Sequence, residues 1–245
     1  MEKDNMPKYI AIEGPIGVGK TSLARKIALE FGHDLCLEDP DDNPFLQSFY
    51  ENSQKYAFAT QIHFVMQRSQ QINTYFSDDL IEGKIVSDFI FQKEDLFAEL
   101  NLSADELKIF REVKSKFYDS YPKPDLLIYL QASPKRVYER VKKRGRAYEE
   151  QISLEYLEKI CEKYTEFFFN YSESPLLVLN VDDVDFALLN KLLAISSLRE
   201  RYLAHFRTIL INSFDSDYIE NMIDQHADMI DSYVLDDPQK IYTYN

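Results

Sequence analysis

One stretch of the sequence has the residue types and spacing of a phosphate-binding loop. Gly14-Pro15-Ile16-Gly17-Val18-Gly19-Lys20-Thr21 matches G-x-x-x-x-G-K-[ST] and stands between an apolar run and an amphipathic segment. Glycines let such a loop turn its amide N–H groups towards phosphate oxygens, and the following helix presents its positive N-terminal end to the same anion. Lys20 would reach the β- and γ-phosphates of ATP, and the Thr21 hydroxyl would bind Mg²⁺.

This loop alone does not distinguish a kinase from a GTPase or a motor ATPase. A GTPase would carry an Asn-Lys-x-Asp-like motif after a later strand, whereas the apolar run Leu126–Leu130 is followed by Gln-Ala-Ser-Pro. A basic cluster comes next, in which Gly145 separates two arginines. It is either a solvated helix face or a mobile lid that closes on phosphate, and we favour the lid because phosphoryl transfer needs charge clamps and exclusion of water. The cluster consists of Arg136, Arg140, Lys142, Lys143, Arg144 and Arg146.

The elements that must position these residues alternate along the chain. Short apolar runs that are typical of buried parallel strands lie at Tyr9–Glu13, Asp34–Glu38, Lys84–Ser87, Leu126–Leu130 and Leu176–Val181. Segments with helical periodicity lie at Thr21–Phe31, Lys55–Ile81, Ala104–Tyr118, Pro134–Lys143 and Leu154–Tyr171. Ser103 and Glu106 are spaced as a capping box before the third helix. The alternation predicts an α/β fold, with a mostly parallel sheet and helices on both faces.

The composition argues against several functional classes. The chain has 28 basic and 42 acidic residues, a net charge of −14, which disfavours binding to nucleic acid. No stretch approaches eighteen apolar residues, so we expect no membrane span, and the N-terminus lacks the apolar segment of a secretory signal. Two distant cysteines, Cys36 and Cys161, suit a reducing cytoplasm, and the four histidines form no metal-binding pattern.

With these motifs placed, the sequence resembles the deoxynucleoside kinase family, of the bacterial deoxyadenosine/deoxyguanosine kinase type. The resemblance runs from about Lys8 to Phe186. It implies a P-loop kinase fold with a five-stranded parallel sheet and an arginine-rich lid, usually in a homodimer, and phosphorylation of a deoxynucleoside 5′-hydroxyl by ATP, with a purine favoured. Its landmarks, besides the phosphate-binding loop, are Glu38, Asp42-Asn43-Pro44-Phe45-Leu46, Phe49-Tyr50, Lys123-Pro124-Asp125, Gln131-Ala132-Ser133-Pro134, Lys143-Arg144-Gly145-Arg146-Ala147-Tyr148-Glu149 and Asp182-Asp183-Val184-Asp185-Phe186.

The resemblance also assigns roles to single residues. Glu38 matches the carboxylate that takes the proton from the 5′-hydroxyl, although by its residue type alone it would be an ordinary loop acid. Tyr50 and Glu149 match the pair that holds the sugar 3′-hydroxyl. Phe97 matches the aromatic residue that stacks on the base, although unaided it would be assigned to the core of a helix. Arg140, Arg144 and Arg146 match the lid arginines that stabilise the transferring phosphate. Asp182, Asp185 and Phe186 match the segment that lines the adenine of ATP.

Two positions depart from the family's pattern. After the third strand the family carries an acid–Arg pair, in which the arginine supports the 5′ end of the substrate and the acid helps to hold Mg²⁺. Here the acid is Asp88, and no arginine stands beside it. In the long helix the family reads the base with a Gln after Phe, and the matching residue here is Ala59 after Phe58. Gln61 lies about 200° round the helix from Ala59, so we expect that Gln61 does not replace it.

The C-terminal segment lies outside this resemblance. We predict a kinase-like domain over residues 1–211 and an acidic extension over residues 212–245, which holds eight acidic residues, one basic residue and half of the net charge. Apolar residues at helical spacing predict an amphipathic helix there. Its apolar stripe would cover the protein's own core or a dimer mate, or the acidic helix would bind another partner. The stripe comprises Tyr218, Ile219, Met222, Ile223, Met229, Ile230, Tyr233 and Val234.

Three functional hypotheses follow from these observations. The first is ATP-dependent phosphorylation of a small-molecule deoxynucleoside. The second is a related kinase that acts on a nucleotide or another small alcohol, which the departures at Ala59 and Asp88 favour. The third is a non-catalytic, nucleotide-binding subunit, which predicts ATP binding without turnover. Lys20, Thr21, Glu38 and the lid arginines together favour catalysis, because a non-catalytic relative has little need of the full set.

Overall fold

Five parallel strands form one sheet in the order β2–β3–β1–β4–β5. In the computed structural model the described residues are 7–76, 84–117 and 121–182, and they belong to one compact unit, Pro7–Val184. The predicted five-stranded parallel sheet is therefore confirmed. The strands are β1 (Tyr9–Glu13), β2 (Asp34–Cys36), β3 (Ile85–Ser87), β4 (Leu126–Gln131) and β5 (Leu176–Asn180).

Helices connect the strands as the alternation predicted. Two short 3-10 turns, Pro40–Asp42 and Ala147–Glu149, flank the region where the site lies. The α-helices are α1 (Lys20–Phe31), α2 (Leu46–Glu51), α3 (Ser53–Tyr75), α4 (Lys93–Asn101), α5 (Ala104–Phe117), α6 (Pro134–Arg144) and α7 (Leu154–Phe169). No helix within the described ranges combines the length and apolar character that crossing a membrane requires.

The central strands explain why the sequence shows continuous apolar runs. β1 pairs with β3 on one side and with β4 on the other, and all five of its residues are buried. A parallel strand in this position is covered on both faces, so it needs apolar residues at successive positions. Along the chain, β2 and β3 add to the sheet on one side of β1, and β4 and β5 then add on the other side. The carboxyl end of β1 is therefore a topological switch point, where ligands bind in sheets of this kind.

The helix boundaries follow the local signals in the sequence. Gly32 ends α1 and Gly145 ends α6, each with φ of 67°, a left-handed conformation that glycine adopts at little cost. The capping box is present before α5, where the Ser103 amide donates to the Glu106 carboxylate (3.0 Å) and the Glu106 amide donates to the Ser103 hydroxyl (3.4 Å). Gly145, which separates the two arginines of the predicted lid, is therefore the terminus of a helix.

Some boundaries differ from the prediction for identifiable reasons. β2 ends at Cys36 rather than Glu38, because the Glu38 amide donates to the Asp88 carboxylate (2.7 Å) and the Leu37 carbonyl accepts from Gln71 (2.9 Å). These bonds draw the two residues out of the sheet. The short helices α2 and α4 were not predicted as separate elements. The predicted end of α3 at Ile81 and the predicted 1–211/212–245 boundary with its acidic extension lie outside the described residues.

Candidate active site

The phosphate-binding loop lies between β1 and α1. Gly14 and Gly17 have φ of 150° and 80°, and a Cβ at Gly14 would lie 2.4 Å from the carbonyl oxygen of Leu130 in β4. The loop therefore passes too close to the sheet for a side chain at that position. The ammonium of Lys20 donates to the carbonyl oxygens of Gly14 (2.7 Å) and Pro15 (3.1 Å). Burial lowers the pKa of Lys20, and neighbouring carboxylates, Glu13 first among them, oppose this shift.

A cleft of about 610 Å³ adjoins this loop and collects most of the predicted site residues. Side chains from the ends of β2 and β3, from α3 and α4, and from the segment 144–149 line the same space. The other predicted residues of the loop (Gly14, Pro15, Val18 and Gly19) are not part of the lining. The predicted site residues that line the cleft are Ile16, Gly17, Lys20, Thr21, Glu38, Tyr50, Asp88, Phe97, Arg144, Arg146 and Glu149.

Asp88 connects the phosphate-binding loop with the segment that carries Glu38. Its carboxylate accepts from the Thr21 hydroxyl (2.5 Å) and from the Glu38 amide (2.7 Å). β2 and β3 are neighbouring parallel strands, so the residues that follow them meet at one edge of the sheet.

The oxygen atoms of Thr21 and Asp88 form a donor set that fits Mg²⁺. This ion is usually bound by one or two protein oxygens together with substrate phosphates, not by an all-protein cage. The described residues contain no cluster of three or more His, Cys, Asp or Glu suited to a metal ion. The site could therefore hold Mg²⁺ at the point where the phosphates of ATP would lie.

The carboxylate of Glu38 is held by two buried cations. Arg68 Nη2 lies 2.5 Å from Oε1, and Lys93 Nζ lies 2.7 Å from Oε2. The Arg68 guanidinium is completely buried, stacks on Phe89 with its centre 3.9 Å from the ring centroid, and lies 3.7 Å from Glu94. Burial alone would raise the pKa of Glu38, but Lys93, Arg68 and then Lys20 hold that pKa far below its usual range. Glu38 is therefore ionised at neutral pH.

Helix α3 fixes the backbone on either side of Glu38. The Gln67 amide donates to the carbonyl oxygen of Asp39 (2.9 Å), and the Gln71 amide donates to that of Leu37 (2.9 Å). Arg68 Nη1 also donates to the Gln71 side chain (2.9 Å). These residues are spaced i, i+1 and i+4, so they share one side of the helix. The position of Glu38 is thus determined by α3 as well as by the sheet.

Tyr50 and Glu149 lie together at the part of the cleft that Arg144 and Tyr148 also line. The Tyr50 ring stacks parallel to that of Tyr148 with centroids 6.2 Å apart. Burial, followed by the nearby Tyr156 and Glu149, raises the pKa of Tyr50, so its hydroxyl keeps its proton. Glu149 is itself buried and accepts from Arg144, from Nε at 3.0 Å and from Nη2. A phenol donor and a carboxylate acceptor therefore face the same space.

The three predicted lid arginines occupy different positions. Arg144 and Arg146 line the cleft, and Arg146 lies 3.9 Å from Asp41 across its mouth. Arg140 is instead bonded to the backbone, donating to the carbonyl oxygens of Val18 (3.2 Å) and Val181 (2.7 Å). In this arrangement Arg140 joins the phosphate-binding loop to the end of β5 rather than facing the cleft.

The predicted adenine-lining segment is described only at its first residue. Asp182 accepts from the Ser133 amide (2.7 Å), and its own carbonyl accepts from Arg136 Nε (3.0 Å). Together with Lys135 and Glu139, these three residues line a separate shallow depression. Asp185 and Phe186 lie outside the described residues.

In the long helix α3, the residue that lies at the cleft differs from the one that the family resemblance indicated. Gln61 lines the cleft, whereas Ala59 does not contribute to its lining. Because the two residues are about 200° apart on the helix, only one of them can face the cleft. Among the described residues, no group hydrogen-bonds the side-chain amide of Gln61. The signal that could have identified it is the spacing of Gln61, Phe64 and Arg68 (i, i+3 and i+7), which places them on one side of α3.

Lys93 is a second residue that sequence reasoning did not identify. It begins α4, lines the cleft and is bonded to Glu38, although a lysine at a helix start usually faces solvent. Phe97, one turn further along α4, also lines the cleft and meets the Tyr164 ring edge-on, with centroids 6.2 Å apart. Its predicted location at the site therefore agrees with the structure.

Comparison with known proteins gives a consistent result. The family model described as "Deoxynucleoside kinase" matches residues 10–194. Deoxyguanosine kinase of Bacillus subtilis is 34% identical over 84% of this chain and 100% of its own length. Deoxyadenosine kinase of Lactobacillus acidophilus is 32% identical over 74% of this chain and 89% of its own length. A second model, described as "CotH kinase protein", matches residues 180–245, about a quarter of the chain.

Solved structures are similar in fold as well. The structure of deoxyadenosine kinase from M. mycoides with bound dCTP has a TM-score of 0.65 and 26% identity, and the match covers 76% of this chain and 100% of that one. The same enzyme with bound dATP gives a TM-score of 0.65 at 27% identity, over 75% of this chain and 98% of that one.

Proposed function

Because the chain belongs to the deoxynucleoside kinase family, we propose that it transfers the γ-phosphoryl group of ATP to the 5′-hydroxyl of a deoxynucleoside, with a purine favoured. The products are the deoxynucleoside monophosphate and ADP. The observation that carries the proposal is the contact series from the Thr21 hydroxyl through the Asp88 carboxylate to the Glu38 amide, which places the phosphate-binding loop and the residue that bears an ionised carboxylate in one cleft.

The donor end of the site consists of the loop, Lys20 and the lid. Lys20 would exchange its bonds to loop carbonyls for the β- and γ-phosphate oxygens, which are stronger acceptors because they are charged. Arg144 and Arg146 would close on the transferring group and exclude water. Mg²⁺, held by Thr21 and Asp88, would neutralise charge on the β- and γ-phosphates.

The acceptor end orients the sugar. The Tyr50 hydroxyl and the Glu149 carboxylate would bind the 3′-hydroxyl. This hydroxyl can accept a hydrogen bond from Tyr50 and donate one to Glu149. Glu38 would then receive the hydrogen bond of the 5′-hydroxyl and take its proton as the bond to phosphorus forms. Its low pKa suits a late proton transfer, because phosphoryl transfer passes through a loose transition state with little bond formation to the nucleophile.

Base binding is assigned to Gln61 and Phe97. The amide of Gln61 has one donor and one acceptor face, which matches the paired acceptor and donor on the edge of adenine. Phe97 offers a ring for stacking. The names of similar proteins, deoxyguanosine kinase and deoxyadenosine kinase among them, support a purine deoxynucleoside as the substrate.

The proposed function is tested by ADP release from Mg·ATP with deoxyadenosine, deoxyguanosine, deoxycytidine, thymidine or no acceptor. Release that depends on a nucleoside, fastest with a purine, is expected. Lys20→Met provides the background rate. ADP release that does not depend on a nucleoside, or ATP binding without any ADP release, would contradict this proposal. It would favour instead a kinase with another acceptor or a non-catalytic subunit.

Gln61→Ala is expected to raise the KM for the preferred deoxynucleoside at least about tenfold, because two hydrogen bonds of about 1 kcal/mol each are lost. The kcat should change less, since the reacting atoms are untouched. Gln70→Ala, at an exposed position of the same helix, is the matched control and should retain the original KM. An unchanged KM in Gln61→Ala would exclude this residue from base binding.

We further infer that two chains form a homodimer in the cytoplasm. The family resemblance implies a dimer, and α3 and α5, which pack together, expose the apolar side chains of Met66, Ile109 and Phe117. The two free and buried cysteines, Cys36 and Cys161, are typical of a reducing compartment. The proposed partners are therefore a small-molecule nucleoside, which the lining of the cleft suits, and a second copy of the chain.

Substituting Met66 and Ile109 together by glutamate is expected to convert the dimer into single chains, because charges in an apolar interface are costly to bury. Light scattering after gel filtration measures the mass. Leu29→Glu, at an exposed apolar position on α1, is the control and should leave the mass unchanged. A monomeric wild type, or a dimer that survives the double substitution, would contradict this interface.

A further inference from the structure

Both carboxylate oxygens of Glu38 are occupied by cations from different elements. Arg68 comes from α3 and contacts Oε1, and Lys93 comes from the first position of α4 and contacts Oε2. The two cations are not equivalent. Arg68 is completely buried and also binds Gln71, so it belongs to the framework. Lys93 retains 8% exposure, and both side chains contribute to the lining of the cleft.

Lys93 comes from the connection in which the sequence lacks an arginine. The family usually carries an arginine beside the acid after β3, and no arginine stands beside Asp88. The chain between β3 and α4 is short, however, and its backbone is fixed by the Ile90 amide, which donates to the buried Glu13 carboxylate (2.9 Å). This hydrogen bond places the start of α4 against the cleft. The ammonium of Lys93 therefore enters the site from a position a few residues after Asp88.

We propose that Lys93 is the positioning residue for Glu38, and that it takes the place of the arginine that the sequence lacks after β3. This inference rests on the proposed function, because it assigns Lys93 to the same phosphoryl transfer. Lys93 holds Oε2 so that the remaining lone pairs of the carboxylate point to the 5′-hydroxyl. Its ammonium has three N–H donors, of which one is used by Glu38.

Geometry explains why a second cation is needed. The carboxylate of Glu38 can rotate about its terminal torsion, which is broad for a glutamate side chain. A single contact from Arg68 at Oε1 restricts that rotation from one side only, whereas contacts at both oxygens fix the plane of the group. Phosphoryl transfer depends on an in-line arrangement, and a displacement of about 1 Å can cost a factor of about 100 in rate.

The surrounding charges are consistent with this assignment. Lys93 also lies 5.8 Å from the centroid of the Phe89 ring, on which Arg68 is stacked. Lys20 is close enough for Lys93 to affect its pKa. Lys93 therefore contacts the carboxylate of Glu38 and also lies near Lys20 of the phosphate-binding loop. A lysine suits this position because it is a compact point charge, whereas the planar fork of an arginine already occupies the other oxygen.

The inference is tested by steady-state kinetics of wild type, Lys93→Met and Lys93→Arg with the preferred deoxynucleoside. We expect Lys93→Met to lower kcat about 10- to 100-fold, with ATP affinity and the KM for the nucleoside within about twofold of wild type. Lys93→Arg should recover at least about a third of the wild-type kcat. Lys159→Met, which removes an exposed lysine paired with Glu155 on α7, is the control and should match wild type.

A second measurement separates positioning from a general effect on folding. Methylammonium added to Lys93→Ala should raise kcat in a saturable way, because it can enter the space left by the side chain and bind Oε2 of Glu38. It should have no such effect on Lys159→Ala. If the wild type is active and the kcat of Lys93→Met lies within twofold of it, the role of Lys93 is overturned and the proposed function is not. The same conclusion follows if kcat falls but neither Lys93→Arg nor methylammonium restores it. A wild type that phosphorylates no nucleoside would overturn the proposed function and this inference with it.

Discussion

Glu38→Gln is expected to lower kcat at least about a hundredfold while ATP affinity stays within about twofold of wild type. The glutamine keeps the shape of the side chain and one oxygen acceptor, so the nucleoside can still bind. It cannot take the proton of the 5′-hydroxyl, and it carries no charge to hold Lys93 in place. The loss should therefore appear in kcat with ADP release as the measurement, and the KM values should change little.

The same substitution should also lower stability. Arg68 and Lys93 lose their shared counter-charge, and breaking a buried ion pair from one side costs about 3–5 kcal/mol. Kinetics should therefore be measured well below the melting temperature of the variant. Glu155→Gln, in an exposed ion pair on α7, is the matched control and should alter neither kcat nor stability. Turnover like that of wild type in a folded Glu38→Gln protein would remove Glu38 from the mechanism.

Much of the fold could be predicted from sequence because its elements depend on local signals. The central strands are continuous apolar runs, and glycines mark the ends of α1 and α6. The phosphate-binding loop was identified for the same reason, since its function requires glycines and a lysine at fixed spacing within eight residues. In these cases the physical cause and the sequence pattern lie in the same short segment.

The residues that could not be predicted depend on contacts between distant segments. Lys93 contacts Glu38 across 55 residues and Arg68 does so across 30, and no local pattern marks either pair. The end of β2 depends on Asp88, fifty residues away. The misassignment of Ala59 has a different origin, since a shift of two positions on a helix changes the face by more than half a turn.

Gly14→Ala is expected to be the most damaging single change in the phosphate-binding loop. The new Cβ would lie 2.4 Å from the Leu130 carbonyl oxygen and 3.1 Å from the Val18 side chain. Leu130 belongs to β4, which is paired with β1 and β5, so the strand cannot move away without breaking the sheet. The φ of 150° is also rarely adopted by alanine. The loop itself must therefore shift, and with it the amides that bind phosphate.

We expect Gly14→Ala to lower the free energy of unfolding by about 3 kcal/mol or more, and ATP affinity at least about tenfold. For a domain of this size that corresponds to a drop in Tm of about 6–12 °C, measured by thermal denaturation with and without Mg·ATP. Gly32→Ala is the matched control, because Gly32 has φ of 67° but no atom within 4 Å of the added Cβ. It should cost only about 1–2 kcal/mol and leave ATP binding unchanged. If both variants melted alike and both bound ATP like wild type, the contact between the loop and β4 would not determine the shape of the phosphate site.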